Sequence, residues 1–81
     1  MKVHVHFYSQ LREIAGAQAR DVELSRGAKV SELLDKIYEK VPMLRSHDKT
    51  ILIGAGVEFV DRNYKLREGE EIAIMPPVQG G

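Results

Sequence analysis

The chain has 81 residues, with 12 basic and 12 acidic side chains and no cysteine. This length predicts one small domain, and the lack of cysteine excludes disulfides, zinc–thiolate sites and thiol catalysis. Balanced charge without a basic cluster argues against nucleic acid as a partner. Because the apolar stretches are too short to span a bilayer and the N-terminus lacks a signal-peptide core, we expect a cytoplasmic protein with no membrane partner.

The first third of the chain predicts two strands around a short helix. A period of two predicts the first strand, whose apolar set should face a core. This alternation sets Val3, Val5 and Phe7 against His4, His6 and Tyr8. Ser9 is predicted to cap a helix over residues 10–15, which Gly16 ends. Residues 19–24 predict the second strand, before a turn at Arg26-Gly27.

One long amphipathic helix is the best-defined element of the sequence. Its apolar residues recur at helical spacing, with charged and polar side chains on the opposite face. The stripe consists of Val30, Leu33, Leu34, Ile37 and Val41. Pro42 is predicted to end the helix, because proline cannot donate the next helical hydrogen bond. Residues 42–49 are predicted to form a loop.

The second half of the chain predicts three strands, over residues 50–55, 57–60 and 71–75. Turns are expected at residues 61–63 and 68–70. The segment Gly54-Ala55-Gly56 contains part of a dinucleotide-binding pattern. It lacks the third glycine and the following helix, so a tight turn or bulge is the better interpretation.

The predicted order of elements indicates an α+β fold. A strand, short helix, strand, long helix and three strands imply one mixed sheet with a single long helix covering one face. This order matches the β-grasp, or ubiquitin-like, arrangement of about five strands, in which the first and last strands lie side by side at the sheet centre. We therefore expect a β-grasp domain over residues 1–75 and an extended tail over residues 76–81.

The tail Pro76–Gly81 ends in two glycines, which leave its carboxylate without a neighbouring Cβ and able to enter a narrow channel. The two prolines should stop the last strand and keep the chain extended. A carboxylate reacts with nucleophiles only after activation, for instance as an acyl-adenylate that a sulfur nucleophile converts to a thiocarboxylate. The sequence has no phosphate-binding loop, so we expect no bound cofactor and ATP to be used in trans by another enzyme.

The ending Pro-Pro-Val-Gln-Gly-Gly resembles the C-terminal motif of MoaD/ThiS-type ubiquitin-like proteins, and above all the small sulfur-carrier subunit of molybdopterin synthase. Residues 7–16 and 66–75 are also similar to that family, so the resemblance covers essentially the whole chain. The sequence departs from the family pattern at Gly54-Ala55-Gly56, where a Val-Asn-type pair usually follows the third strand.

The resemblance implies a mechanism. A ubiquitin-activator-like adenylating enzyme converts Gly81 to an acyl-adenylate, and a persulfide sulfur donor then yields the thiocarboxylate. The tail enters the large subunit of molybdopterin synthase, which supplies the catalytic residues, and sulfur passes to cyclic pyranopterin monophosphate. Two small subunits are expected on a dimer of large ones. Gly80 would clear the channel, and the tip would be positioned by Pro76, Pro77, Val78 and Gln79.

One face of the predicted sheet is a candidate docking surface for both partners, since exposed apolar groups on a sheet often mark interaction sites. Its residues are His4, His6, Tyr8, Ala73 and Met75. The two histidines alone do not make a metal site, because zinc needs at least three protein ligands and His47 lies in a distant segment. We therefore predict no metal site.

Other functions are compatible with the same sequence. A related carrier would supply the sulfur for thiazole formation, cysteine formation or tRNA thiolation. A ubiquitin-like modifier would instead join Gly81 to lysine side chains of other proteins. A plain interaction domain would have an inert tail, and deletion of the two glycines would then leave its function intact.

Overall fold

The computed structural model describes residues 1–77 of the chain; Val78, Gln79, Gly80 and Gly81 lie outside the described residues. Five strands and two α-helices form in the predicted order. The strands are β1 (Lys2–Phe7), β2 (Ala19–Glu23), β3 (Leu52–Ala55), β4 (Glu58–Val60) and β5 (Glu71–Met75). The helices are α1 (Gln10–Ala15), α2 (Val30–Lys40) and a 3₁₀ helix over Pro42–His47.

The five strands form one mixed sheet in the order β2-β1-β5-β3-β4. The first and last strands of the chain are parallel neighbours, and the other adjacent strands are antiparallel. The sheet topology therefore confirms the prediction that β1 and β5 lie side by side at its centre. Because β5 is paired on both edges, the chain reaches Pro76 from a strand that is held from both sides.

The core lies between α2 and one face of the sheet. The predicted apolar stripe of α2 is buried, with Val30 and Leu33 fully inaccessible. It packs on the inward-facing alternate residues of the central strands, including Val3 and Val5 of β1 and Ile72 of β5. The apolar face of the helix and the apolar face of the strands therefore pack together in a single core, which removes these side chains from water.

The prediction of a loop over residues 42–49 is wrong for the first six of these residues. Pro42–His47 is a 3₁₀ helix, and Leu44 within it is fully buried. Proline suits the first helical position because its fixed φ matches and its missing N–H would be unpaired there. Asp48, which follows this helix, accepts a 2.6 Å hydrogen bond from the Tyr38 hydroxyl of α2. Burial of Leu44 and this bond fix the conformation of the segment.

The structure also changes three predicted details. Ser9 precedes α1 but has a positive φ of 52° and makes no side-chain capping bond. Strand β3 begins at Leu52 rather than residue 50, because the Thr50 N–H donates to the His47 carbonyl. Strand β4 begins at Glu58, because Gly56 and Val57 form the hairpin loop. Within residues 1–77, no helix has the length and apolar character needed to cross a bilayer.

Of the three residues predicted to form a tight turn or bulge, Gly54-Ala55-Gly56, only Gly56 lies in a turn. Gly54 and Ala55 belong to β3, and Gly56 opens the two-residue loop with a φ of 65°. A positive φ at the first loop position is what a II′ hairpin turn requires, and glycine adopts it without strain. This loop fixes the register in which Gly54 lies opposite Phe59.

Gly16→Ala is expected to lower the free energy of unfolding by about 1 kcal/mol, because an L-residue is strained in the left-handed region. Gly16 ends α1 with a φ of 70°, and its N–H donates to the Arg12 and Glu13 carbonyls. Nothing lies within 4 Å of an added Cβ, so the cost is conformational rather than steric. Chemical denaturation measures it. Gly16→Asn is the matched control and should lose less, since asparagine tolerates this conformation; a Gly16→Ala protein as stable as the original would contradict the argument.

Candidate functional site

The outer face of the sheet is the face opposite α2, and it meets the base of the tail. Strand β5 ends at Met75, Pro76 is half-buried and Pro77 is exposed. The Tyr8 N–H donates to the Ile74 carbonyl at 3.1 Å, which extends the contact between β1 and β5 beyond Phe7. The predicted end of the last strand before the prolines is therefore confirmed. The tail leaves from the middle of the sheet.

Small and aromatic side chains form a row across this outer face. His6 of β1 pairs with Ala73 of β5, Ala73 pairs with Gly54 of β3, and Gly54 pairs with Phe59 of β4. Register alone sets this row, because strand residues at paired positions point to the same face. The two central members of the row, Ala73 and Gly54, have at most a methyl side chain, so the middle of the face is recessed between larger groups.

A shallow hollow of about 340 Å³ lies at the recessed position. Its apolar lining is formed by Tyr8, Val57, Phe59, Ala73 and Met75, which we call the apolar cluster. Phe59 is 67% exposed and Tyr8 is 45% exposed, and neither belongs to the buried core. Exposed apolar side chains grouped in this way are typical of interaction surfaces.

Gly54 keeps the floor of the hollow open. A Cβ at this position would lie 3.1 Å from the Met75 Cε and 3.5 Å from the Ala73 Cβ. The first distance is closer than ordinary van der Waals contact, so Met75 would have to move. The absence of a side chain at Gly54 therefore lets the Met75 side chain lie over β3.

The two histidines of the predicted docking surface are each engaged with a carboxylate. His4 Nδ1 lies 2.6 Å from Asp21 Oδ1, and His6 Nε2 lies 2.8 Å from Glu71 Oε1. His6 also borders a second hollow with Tyr8 and Ala73, whereas His4 lines neither hollow. In the part of the chain that the structure describes, no group of three or more potential ligands is arranged to hold a metal ion.

The hydrogen bond from His4 lowers the pKa of Asp21 below its usual value, and the nearby positive charge of the histidine adds to the effect. A lowered pKa in the folded state stabilises the fold above the unfolded-state pKa of about 3.9. That stabilisation disappears as the pH falls through the folded-state pKa of Asp21.

Asp21→Asn is therefore expected to be less stable than the original protein at about pH 6, and the difference should shrink as the pH falls toward about 2 and Asp21 becomes protonated in the folded state. Denaturation curves at the two pH values measure the difference. Asp35→Asn is the control, because Asp35 makes no side-chain hydrogen bond or ion pair within residues 1–77. A difference that does not shrink between the two pH values would contradict the linkage with Asp21.

The structure brings three of the five predicted docking residues, Tyr8, Ala73 and Met75, into the same hollow. Sequence reasoning missed Phe59 and Val57. The signal available was a phenylalanine between Glu58 and Val60 in a short strand, but the face on which it lies depends on the hairpin register. The predicted tail residues beyond Pro77 lie outside the described residues.

Comparisons with known proteins agree with this architecture. Residues 5–81 match the model of the ThiS family. The chain is 36% identical to the molybdopterin synthase sulfur carrier subunit of Chlamydomonas reinhardtii, over 100% of both chains. SAMP1 of Haloferax volcanii, a small archaeal modifier protein, has a TM-score of 0.87 at 26% identity, again over 100% of both chains.

A further solved structure has a related fold. A chain in the complex of subunits 1 and 2 of molybdopterin-converting factor from Helicobacter pylori superimposes with a TM-score of 0.71, at 23% identity and over 100% of both chains. At this level of identity the likeness concerns the fold alone. The structural neighbours are ubiquitin-like β-grasp proteins, which confirms the predicted fold class. With the match over residues 5–81, these findings show that the chain belongs to the ThiS family.

Proposed function

We propose that this protein is the sulfur-carrier subunit of a molybdopterin synthase and that the carboxylate of Gly81 is the group that carries sulfur. The observation that carries the proposal is the similarity to a sulfur carrier subunit along the whole length of both chains. The sequence ending, with its two glycines after two prolines, is suited to a reacting end that must enter another protein.

The first proposed step is activation of Gly81. A carboxylate oxygen attacks the α-phosphorus of ATP, pyrophosphate leaves, and a mixed anhydride with AMP forms. A separate enzyme related to ubiquitin activators performs this step, because the chain contains no phosphate-binding loop of its own. The carrier contributes two terminal glycines, whose lack of side chains lets the carboxylate approach the nucleotide.

The second proposed step replaces the activated oxygen with sulfur. The terminal sulfur of a persulfide on a donor protein attacks the acyl carbon, AMP leaves, and an acyl disulfide forms. A thiol outside the carrier then attacks the donor sulfur, which releases the Gly81 thiocarboxylate and forms a disulfide between the two outside sulfurs. The carrier has no cysteine, so both thiols in this exchange belong to other proteins.

The third proposed step delivers the sulfur. The loaded tail enters the large subunit, whose side chains catalyse transfer to cyclic pyranopterin monophosphate, and water restores the Gly81 carboxylate. A dithiolene contains two sulfur atoms, so two loaded carriers are consumed for each product molecule. A pair of carriers on a dimer of large subunits provides both.

The geometry of the outer face supports one shared docking surface. The apolar cluster lies beside the point where β5 leads into Pro76, so a partner that covers Phe59 and Met75 also receives the tail. We propose that the activating enzyme and the large subunit use this same cluster in turn. Their binding would then be mutually exclusive, which separates loading of the tail from delivery.

A second candidate function has a specific observation in its favour. The high structural similarity to SAMP1 of Haloferax volcanii favours a modifier that joins its terminal glycine to lysine side chains. The activation step is the same, but an amine rather than sulfur attacks the acyl-adenylate or its successor. Conjugates of high mass in cell lysate that disappear when Gly81 is deleted would favour this function.

Reconstitution with purified components distinguishes these functions. The mixture contains this protein, its adenylating enzyme, ATP, a persulfide donor, the large subunit and cyclic pyranopterin monophosphate. The proposal predicts molybdopterin in proportion to the carrier supplied. Formation of the thiocarboxylate without molybdopterin would contradict this acceptor and favour a carrier for thiazole, cysteine or tRNA thiolation.

A further inference from the structure

The sheet has an open edge at β2, remote from the central strand that leads to the tail. Strand β2 is the terminal strand of the sheet and pairs only with β1 within the described residues. The Phe7 N–H donates to the Gln18 carbonyl, and the Leu24 N–H donates to the Met1 carbonyl. The N–H and carbonyl groups of successive strand residues point to opposite edges of the strand. Since Gln18 and Leu24 bond toward β1, the backbone groups of the even-numbered residues of β2 point toward β1.

The odd-numbered residues of β2 therefore point their backbone groups away from the sheet. These are Ala19, Asp21 and Glu23, whose N–H and carbonyl groups make no backbone hydrogen bond among residues 1–77. An unpaired row of this kind is a template for an added strand. The edge offers three donors and three acceptors in the spacing that an extended peptide matches.

A groove runs along this edge between β2 and α2. It has a volume of about 400 Å³, and Val22 and Ile37 form its apolar floor. Its basic side chains are Arg20 from β2 and Lys36 and Lys40 from α2. None of the three makes an ion pair within the described part of the chain. The Arg20 Nε is buried without a hydrogen-bond partner among residues 1–77.

The acidic residues of the groove do not cancel this positive charge. Asp21 and Glu23 have side chains on the other face of β2, where Asp21 contacts His4 and Glu23 lies 3.8 Å from the N-terminal ammonium. Glu39 alone stands on the helix side against three cations. The helix side of the groove is therefore basic, with an apolar floor and an open backbone edge beside it.

We propose that this groove binds an extended acidic segment of a partner protein, which adds to the sheet as a sixth strand beside β2. Backbone hydrogen bonds to Ala19, Asp21 and Glu23 would provide affinity, and alternate carboxylates of the segment would meet Arg20, Lys36 and Lys40. Pairing of β2 with a second copy of this chain is disfavoured, because it would bring the same cations together. The site is independent of the tail and adds a recruitment surface to the carrier.

The probe for this site is a seven-residue acetylated and amidated peptide of alternating glutamate and valine, titrated into the full ¹⁵N-labelled protein. The proposal predicts that the amide signals of Ala19, Asp21 and Glu23 shift and that their hydrogen exchange slows. The Lys36→Glu/Lys40→Glu double variant should bind about tenfold more weakly. Lys49→Glu is the matched control, because Lys49 is exposed and lies outside the groove, and it should bind like the original protein.

Three results of the peptide titration would overturn the proposal. The first is no shift of the β2 amides at millimolar peptide, and the second is equal binding of a peptide with lysine in place of glutamate. The third is equal binding by the double variant, provided that its spectrum shows a folded protein. Concentration-dependent shifts of the β2 amides without peptide would identify a second copy as the occupant and would also contradict the proposal.

Discussion

A chain that lacks Gly81 is expected to lose all sulfur transfer while unfolding at the same denaturant concentration as the full-length chain. The proposed chemistry uses one carboxylate, and removal of Gly81 moves the terminal carboxylate back by one residue in the partner's channel. A reacting atom that is misplaced by about 1 Å can already lower the rate about 100-fold. Deletion of one residue moves the carboxylate by several times that distance, so we expect no measurable sulfur transfer. Molybdopterin output in the reconstituted system measures the loss.

A second variant that tests the same carboxylate is a chain extended by one alanine after Gly81. It keeps both glycines but replaces the Gly81 carboxylate with an amide, so it should be equally inactive. Fold and partner binding should survive in both variants, because the core and the apolar cluster lie within residues 1–77. Substantial sulfur transfer by either variant would show that Gly81 does not carry the sulfur.

Phe59→Asp is expected to weaken binding of the large subunit and of the adenylating enzyme by about 100-fold, as for a central interface residue. The substitution puts a carboxylate into the apolar cluster, where a docked partner would exclude water. Phe59 is 67% exposed, so the isolated protein should remain folded. Calorimetric titration with each partner measures the effect.

Met43→Asp is the control for that experiment. Met43 is 72% exposed and belongs to the 3₁₀ helix rather than to the outer sheet face. The same loss of an exposed apolar side chain there should leave both affinities unchanged. If Met43→Asp weakened binding as much as Phe59→Asp, or if Phe59→Asp affected only one partner, the shared docking surface would be contradicted.

The fold could be predicted wherever one periodicity dominates the sequence. The alternation of Val3, Val5 and Phe7 and the helical stripe from Val30 to Val41 both lie in the core as expected. The segment at residues 42–47 could not be predicted in this way. It is too short to show a helical period, and its conformation depends on burial of Leu44 against the rest of the protein.

The candidate site was predictable only in part, for a related reason. The tail is local in sequence, so its composition predicts a reacting C-terminal carboxylate, and the resemblance to the family implies the sulfur chemistry. The apolar cluster, in contrast, joins Tyr8, Phe59 and Met75 from three distant segments, and the position of Phe59 depends on the hairpin at Gly56. Tyr8, Ala73 and Met75 lie together as predicted, and their role in docking stays a prediction.

The most direct test of the proposed chemistry is the intact mass of this protein after incubation with ATP, a persulfide donor and its adenylating enzyme. We expect the mass to increase by the difference between one sulfur and one oxygen atom, and the gain to require Gly81. The increase should reverse when the large subunit and its pterin substrate are added. An unchanged mass in the presence of an enzyme that is active on another carrier would contradict the sulfur-carrier function.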